Sequence, residues 1–486
     1  MPDSFSRRKF VVATAATAAG VALSACSGPT PGSSLGLPLD AGSAEGDARK
    51  TYDVIVIGAG PAGIGAARTV LSYGKSVLLL EAQDRPGGRA ITDNTTFREI
   101  GVDLGAQFFG KVVAGNVLFT VAQARKLPVK DFITLPTHFY LGTKTAPLKD
   151  VASFVSTTGA MLGAILAEGA LIAGPSQDFP ASQISNAFRN DAYYQNAVGV
   201  DVSTTTGAEP PASSALDLYN FTQGTPSPFT TPGETYFIKS GMGNFIQSLA
   251  NGLPVRLNTL VRRISRSPSG VTIDTNAGTF HGKAAIITVS TGVLRARSIE
   301  FKPALPTETQ EAFDALPLGV VCKAFLGFKR DIFPSFKSMT AVTQLSKQPA
   351  ITYFAKFWGT NVVEFLADAD LAVKIEGMSR SGQIDYLLRR LEENVPGASD
   401  AFDGRISISN WSRNVFTHGS YSYAKVGMSE ARETLRKSVA NQLFFAGEAT
   451  AQSSSITQLQ GAYIAGIGAA TGALAAIGVK VLRKNG

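Results

Sequence analysis

Cysteine and histidine are nearly missing from this chain, and charge of either sign is sparse. The two cysteines, Cys26 and Cys322, cannot build a disulfide framework. The three histidines, His138, His281 and His418, are far apart and lack metal-ligand spacing, so no metal centre is expected. Charged residues make up 17% of the 486 positions, and the formal net charge of +8 is scattered. The densest basic group, Arg262, Arg263 and Arg266, reads as a solvated strand edge, so no nucleic-acid partner is expected. What remains is a globular composition with 44% hydrophobic residues, long enough for two or three domains or one large interleaved pair.

One stretch is dense in information, residues 51–82, TYDVIVIGAGPAGIGAARTVLSYGKSVLLLEA. The β-branched run Val54 to Ile57 reads as a buried strand that stops at Gly58. Gly58, Gly60 and Gly63 then spell GxGxxG. The first glycine permits a tight turn, the second lets backbone approach a pyrophosphate, and the third lets a helix lie close on the strand. That helix, about Ala62 to Leu71 and preceded by Pro61, points its N-terminal N–H groups at the phosphates. Val77 to Leu80 form a second strand, and Glu81, followed by Ala82, is placed to accept hydrogen bonds from a ribose diol. Strand, helix, strand and acid in register predict a dinucleotide-binding unit.

The N-terminus reads as an address. Ser6-Arg7-Arg8-Lys9-Phe10-Val11 resembles the twin-arginine export signal, and Val11 to Ala25 is an uncharged segment too short to span a bilayer. Leu23-Ser24-Ala25-Cys26 resembles the lipobox of bacterial lipoproteins, with an ordinary small-residue cleavage site as the alternative. Residues 1–25 are therefore expected to be a signal peptide and 26–50 a lipidated cysteine with a flexible tether. The expected location is the periplasmic or extracellular membrane face of a bacterial cell, reached through the twin-arginine machinery.

Beyond Glu81, the segments Asp84-Arg85-Pro86-Gly87-Gly88-Arg89 and EIGVDLGAQFF (99–109) resemble the GGR region of the flavin amine oxidase family, which includes monoamine oxidases, polyamine oxidases and histone demethylases. The resemblance runs to residue 470. It implies an α/β fold in which a Rossmann-like FAD-binding domain (51–116, 238–303 and 411–486) is interleaved with an α+β substrate domain (117–237 and 304–410). It also implies that Gly88 and Arg89 meet the FAD pyrophosphate. Val261, in the segment VRLNTLVRRI (255–264), belongs to the second cofactor segment.

Leu318 to Lys323 resembles the strand carrying the family's lysine, which holds a water against flavin N5. Alternation puts Lys323 and Val321 on one face and Cys322 on the other. A lysine among Val, Cys, Ala and Phe needs a polar partner if it is buried. Trp411 to Gly427 resembles the W…GSY stretch. Ser420 stands where covalent members carry the flavin-linking cysteine, so the FAD is expected to be non-covalent, and Tyr421 matches one wall of the substrate's aromatic cage. After the strand Leu443 to Ala446 come Gly447 and Glu448, the family's ribityl-binding acid. Gly461 and Ala462 open a small-residue helix whose N-terminus is expected to face the isoalloxazine. A membrane anchor over 461–479 is the alternative for this uncharged run, which its many Gly and Ala disfavour. Reading back from Gly461, the second cage wall falls at Gln458, which has no π-face.

The activity implied is FAD-dependent oxidation of an amine C–N bond to an imine, with O2 or an exported acceptor taking the electrons. The partners are a small-molecule amine and that acceptor. Loss of half the cage predicts an amine bulkier or more polar than simple monoamines. The alternatives are an FAD-dependent desaturase or protoporphyrinogen-type oxidase, a non-catalytic flavin-binding protein, and an L-amino-acid oxidase. The last is disfavoured because Phe108 stands where many such enzymes place a carboxylate-binding arginine.

Overall fold

The structure, a computed structural model, describes residues 50–110, 115–222, 235–346, 351–452 and 455–481. The twin-arginine segment, Cys26 and nearly all of the expected tether lie outside the described residues.

The strand Thr51–Ile57 lies inside an eight-stranded sheet. It pairs in parallel with Val77–Leu80 on one side and Gly278–Ile287 on the other. Val255–Arg256 extends the sheet beyond Val77–Leu80, and Leu443–Phe445 joins Gly278–Ile287, both in parallel. An antiparallel meander, Val261–Ser267, Gly270–Thr275 and Gly278–Ile287, completes it, with Glu300–Lys302 at its outer edge. Strand alternation sends Val54 and Val56 to one face and Ile55 and Ile57 to the other, where each pair joins a different apolar cluster. On the Val54 face the helices Pro61–Ser72 and Leu459–Ala476 pack against each other. Their backbones come so close that a Cβ on Gly466 would sit 1.9 Å from the Ala62 carbonyl oxygen. This packing accounts for the Gly/Ala composition of the C-terminal helix.

A second, seven-stranded sheet runs in the order Phe402–Ile408, Val321–Phe328, Val362–Asp368, Thr352–Ala355, Thr340–Gln344, Thr137–Leu141 and Lys144–Thr145. It is antiparallel except where Thr340–Gln344 meets Thr137–Leu141. Helices from Leu148–Gly169 to Ala215–Thr222 make a small cluster of their own around Met161, Ile165 and Leu218.

The stretch Val155 to Ile172 has a helical sequence pattern, and the helix it belongs to spans Leu148–Gly169, starting directly after Pro147. The segment 255–264 contributes Val255–Arg256 and the start of Val261–Ser267, with Asn258 between them at a left-handed φ of 53°. The arginine strand Val261–Ser267 is paired on both sides and is not an edge, although Arg263 is solvated and bonds Glu300 at 2.6 Å.

Candidate active site

A cavity of about 340 Å³ runs from the C-terminal end of Thr51–Ile57 to the face of the second sheet. Its first wall is the glycine loop. Gly58 has φ +101°, a value that side-chain-bearing residues rarely adopt, and it turns the chain out of the strand. A Cβ on Gly63 would lie 1.8 Å from the Gly58 carbonyl oxygen, so the third glycine sets the helix-to-strand contact and does not line the cavity. Glu81, 5% exposed, accepts hydrogen bonds from the Ala59 amide at 2.7 Å and the Gln83 amide at 2.9 Å. Burial raises its carboxyl above the usual range. Gly60 and Gly88 line the cavity side by side, so close that a Cβ on Gly88 would lie 3.2 Å from the Gly60 Cα, and this bare backbone with a fixed acid at the strand end fits a dinucleotide's pyrophosphate and ribose.

The second wall comes from the C-terminal third. Arg89, the residue expected at the pyrophosphate, lines the cavity, and its Nη1 donates to Glu448 Oε1 at 3.0 Å and to the Ser420 carbonyl at 2.7 Å. Glu448 also accepts from the Ser422 hydroxyl at 2.7 Å. These bonds tie the GGR turn to the GSY segment, so Arg89 borders the cavity with that nitrogen committed to protein. Ser420 Oγ accepts from the Val321 amide at 2.9 Å, which docks the GSY segment on the lysine strand. Of the residues expected at the cofactor, only Gly63 and Gly461 stay off the cavity wall. The C-terminal helix starts at Leu459 rather than Gly461, and Gly461 is a packing residue whose Cβ would meet the Ser455 carbonyl oxygen at 2.0 Å.

Three side chains close the end of the cavity. Lys323 lies on Val321–Phe328 with Val321 toward the cavity and Cys322 turned away, as alternation requires. It is 6% exposed, and its Nζ donates to Gln107 Oε1 at 2.6 Å and lies 5.3 Å from the Phe108 ring centre. Tyr421 lines the cavity and its hydroxyl donates to the Thr204 carbonyl. Burial, then the nearby Asp368 and Glu448 carboxylates, holds this phenol far above its usual range, so it stays neutral. Gln458 also lines the cavity, and its Oε1 lies 2.5 Å from where a Cβ on Gly110 would stand. The glycine at 110 is therefore what leaves room for the Gln458 amide.

Sequence reasoning missed Gln107, Glu364 and Thr204. Gln107 is a lone amide in an apolar segment, and Glu364 interrupts the strand VVEFLAD; each is a polar break in a buried pattern, which was the available signal. Thr204 follows a π-helical turn, Gly199–Ser203, that no sequence period announces.

Residues 61–474 match a protein family described as flavin containing amine oxidoreductase. The chain is 32% identical over 452 residues to polyamine oxidase 2 of Arabidopsis thaliana, covering 87% of this chain and 88% of that one. It is 28% identical to lysine-specific histone demethylase 1 homolog 1 of the same plant, covering 85% of this chain and 51% of the relative. The chain thus spans about half the length of that curated relative. Among solved structures it is similar in fold to a putrescine oxidase bound to putrescine, with TM-score 0.73, 18% identity, and coverage of 88% and 99% of the two chains. It is also similar to cyclohexylamine oxidase from Brevibacterium oxydans IH-35A, with TM-score 0.70, 20% identity, and coverage of 87% and 99%.

Proposed function

The chain belongs to the flavin-containing amine oxidoreductase family, and from that premise we propose that its substrate is a polar, secondary or cyclic amine, held between Tyr421 and Gln458. The protein is an FAD-dependent amine oxidoreductase, and its FAD is held without a covalent bond, since Ser420 cannot form the thioether of the covalent members. When bound, FAD supplies the two-electron acceptor for the amine C–N bond. The chain's own residues bind, orient and keep water out. The glycine loop and Glu81 hold the dinucleotide end, and Arg89 and Glu448 brace the turn beside it. Tyr421 presents an uncharged ring to an uncharged amine. Lys323 fixes a cation in the wall, where negative charge in the cavity is stabilised.

The observation that carries this reading is that one cavity joins the dinucleotide cradle to Lys323, Tyr421 and Gln458. With an amide in place of a second ring, the site offers one π-face, a hydrogen-bond donor and an acceptor. Among the described residues Arg89 is the one arginine on the cavity wall, and it already serves Glu448 and Ser420, which speaks against an amino-acid carboxylate as the anchor. The test is a competition between benzylamine and a cyclic secondary amine. The wild type is expected to favour the cyclic amine, and Gln458→Tyr to shift relative kcat/KM toward benzylamine by about tenfold, or ~1.4 kcal/mol. An unchanged ratio would remove Gln458 from the site.

The proposal extends to the leader: export through the twin-arginine machinery and lipidation at Cys26, with O2 or an exported carrier as acceptor. Cys26→Ser should release the protein from the membrane fraction or leave it unprocessed, and unaltered fractionation would contradict lipidation.

A further inference from the structure

We propose that Glu364 is a positioning residue for Lys323, holding its ammonium at the cavity wall through Gln107 and supplying the counter-charge that keeps it protonated; this rests on the flavin-site reading above. The two side chains project from neighbouring antiparallel strands whose register pairs Lys323 with Leu366 and Phe325 with Glu364. Diagonal neighbours on one sheet face are within reach of long side chains, and here Lys323 Nζ lies 3.8 Å from Glu364 Oε1. Gln107 closes the triangle. Its Oε1 accepts from Nζ at 2.6 Å and its Nε2 donates to Glu364 Oε2 at 2.8 Å, so the amide turns its acceptor to a cation and its donor to an anion.

Glu364 is fully buried, and its Oε1 has no hydrogen-bond partner. Its ladder neighbours are Phe325 and Phe354. A carboxylate in such surroundings is costly unless a cation compensates it. The other ionisable group acting on the pair is Asp103, whose oxygens are already engaged by the Thr92 hydroxyl and by the Met242 and Gly243 amides at a helix N-terminus. Burial lowers Lys323 and raises Glu364 to about 7, and each charge pulls the other back toward ionisation. Lys323 touches the cavity, whereas Glu364 stands behind it and acts through the lysine.

The test uses the full-length flavoprotein as Lys323→Met, Glu364→Gln and the double variant, melted from mildly acidic to mildly alkaline pH. Lys323→Met strips the carboxylate of its counter-charge. The folded state then favours protonated Glu364, and stability is lost as pH rises through the folded-state value. The melting temperature of Lys323→Met should therefore fall with rising pH relative to wild type, and adding Glu364→Gln should abolish that fall. In turnover, Glu364→Gln alone should move the basic limb of the pH–rate profile down by about one unit or more, a limb absent from both Lys323→Met proteins. Parallel melting profiles for Lys323→Met and the double variant would overturn the proposal. Should Glu364→Gln not fold, a Lys323→Met profile parallel to wild type overturns it alone. The melting arm needs no amine, so failure of the amine-oxidation reading would show as absent turnover with the melting result intact.

Discussion

Asp368 ends the strand beside the lysine strand, opposite Val321. Thr204 Oγ1 donates to its Oδ2 at 2.8 Å, while its Oδ1 has no hydrogen-bond partner. Burial, with Glu209 adding to it against the Thr204 bond, pushes this carboxyl from 3.8 up to about 7. An acid held above its unfolded value binds its proton more tightly when folded. Its stabilising contribution is full below about pH 4 and is lost as pH climbs toward 7. Asp368→Asn should therefore melt close to the wild type at acid pH and progressively above it through neutrality, as scanning calorimetry would show. An offset that stays constant with pH would mean that Asp368 does not titrate in this range. At this scale the sequence was legible where a residue type has few uses. GxGxxG, the strand-end acid and a lysine in an apolar strand all pointed to the cavity. Gln107, Glu364 and Thr204 have many uses, and their meaning comes from partners distant in sequence. The ion pair of Arg89 is of the same kind, because its partner, Glu448, stands 359 positions away.

The segments that build the cavity are held together by buried polar contacts between elements. Arg432, 3% exposed, donates from Nε and Nη2 to both oxygens of Asp217 at 2.7 and 2.8 Å. Its Nη1 reaches the Ser422 hydroxyl at 2.8 Å, and Asp217 also accepts from the Ala424 amide at 2.8 Å. The helix Ala215–Thr222 is thereby locked to the segment that presents Tyr421. Arg432→Met strands a buried carboxylate and should cost about 3–5 kcal/mol in urea unfolding. Asp217→Leu combined with Arg432→Met should cost less than the sum of the single changes, because no charge is left unpaired. A single-variant cost below about 1 kcal/mol would show that the pair is structurally idle. Short, continuous apolar runs flanked by turn residues were legible as strands, as Thr51–Ile57 and Val77–Leu80 show. Exact boundaries were less so, as the helix start two residues ahead of Gly461 shows.

Across the whole molecule, two sheets built from interspersed stretches of chain meet at one cavity, and the chemistry depends on both. The dinucleotide unit announces itself because phosphate binding needs fixed glycines in a fixed order. The amine end is less legible because it needs only a shape, a ring and a cation, which different side chains can supply. Ser420 adds a consequence that can be checked at the start: acid denaturation should release FAD into solution. The most direct test then mixes the purified yellow protein anaerobically with a polar secondary amine and follows the flavin absorbance. Loss of that absorbance with saturating amine, and its return on admitting O2 or an added electron acceptor, is the predicted result. A flavin that a chemical reductant bleaches, but that no member of a broad amine panel does, would contradict the account.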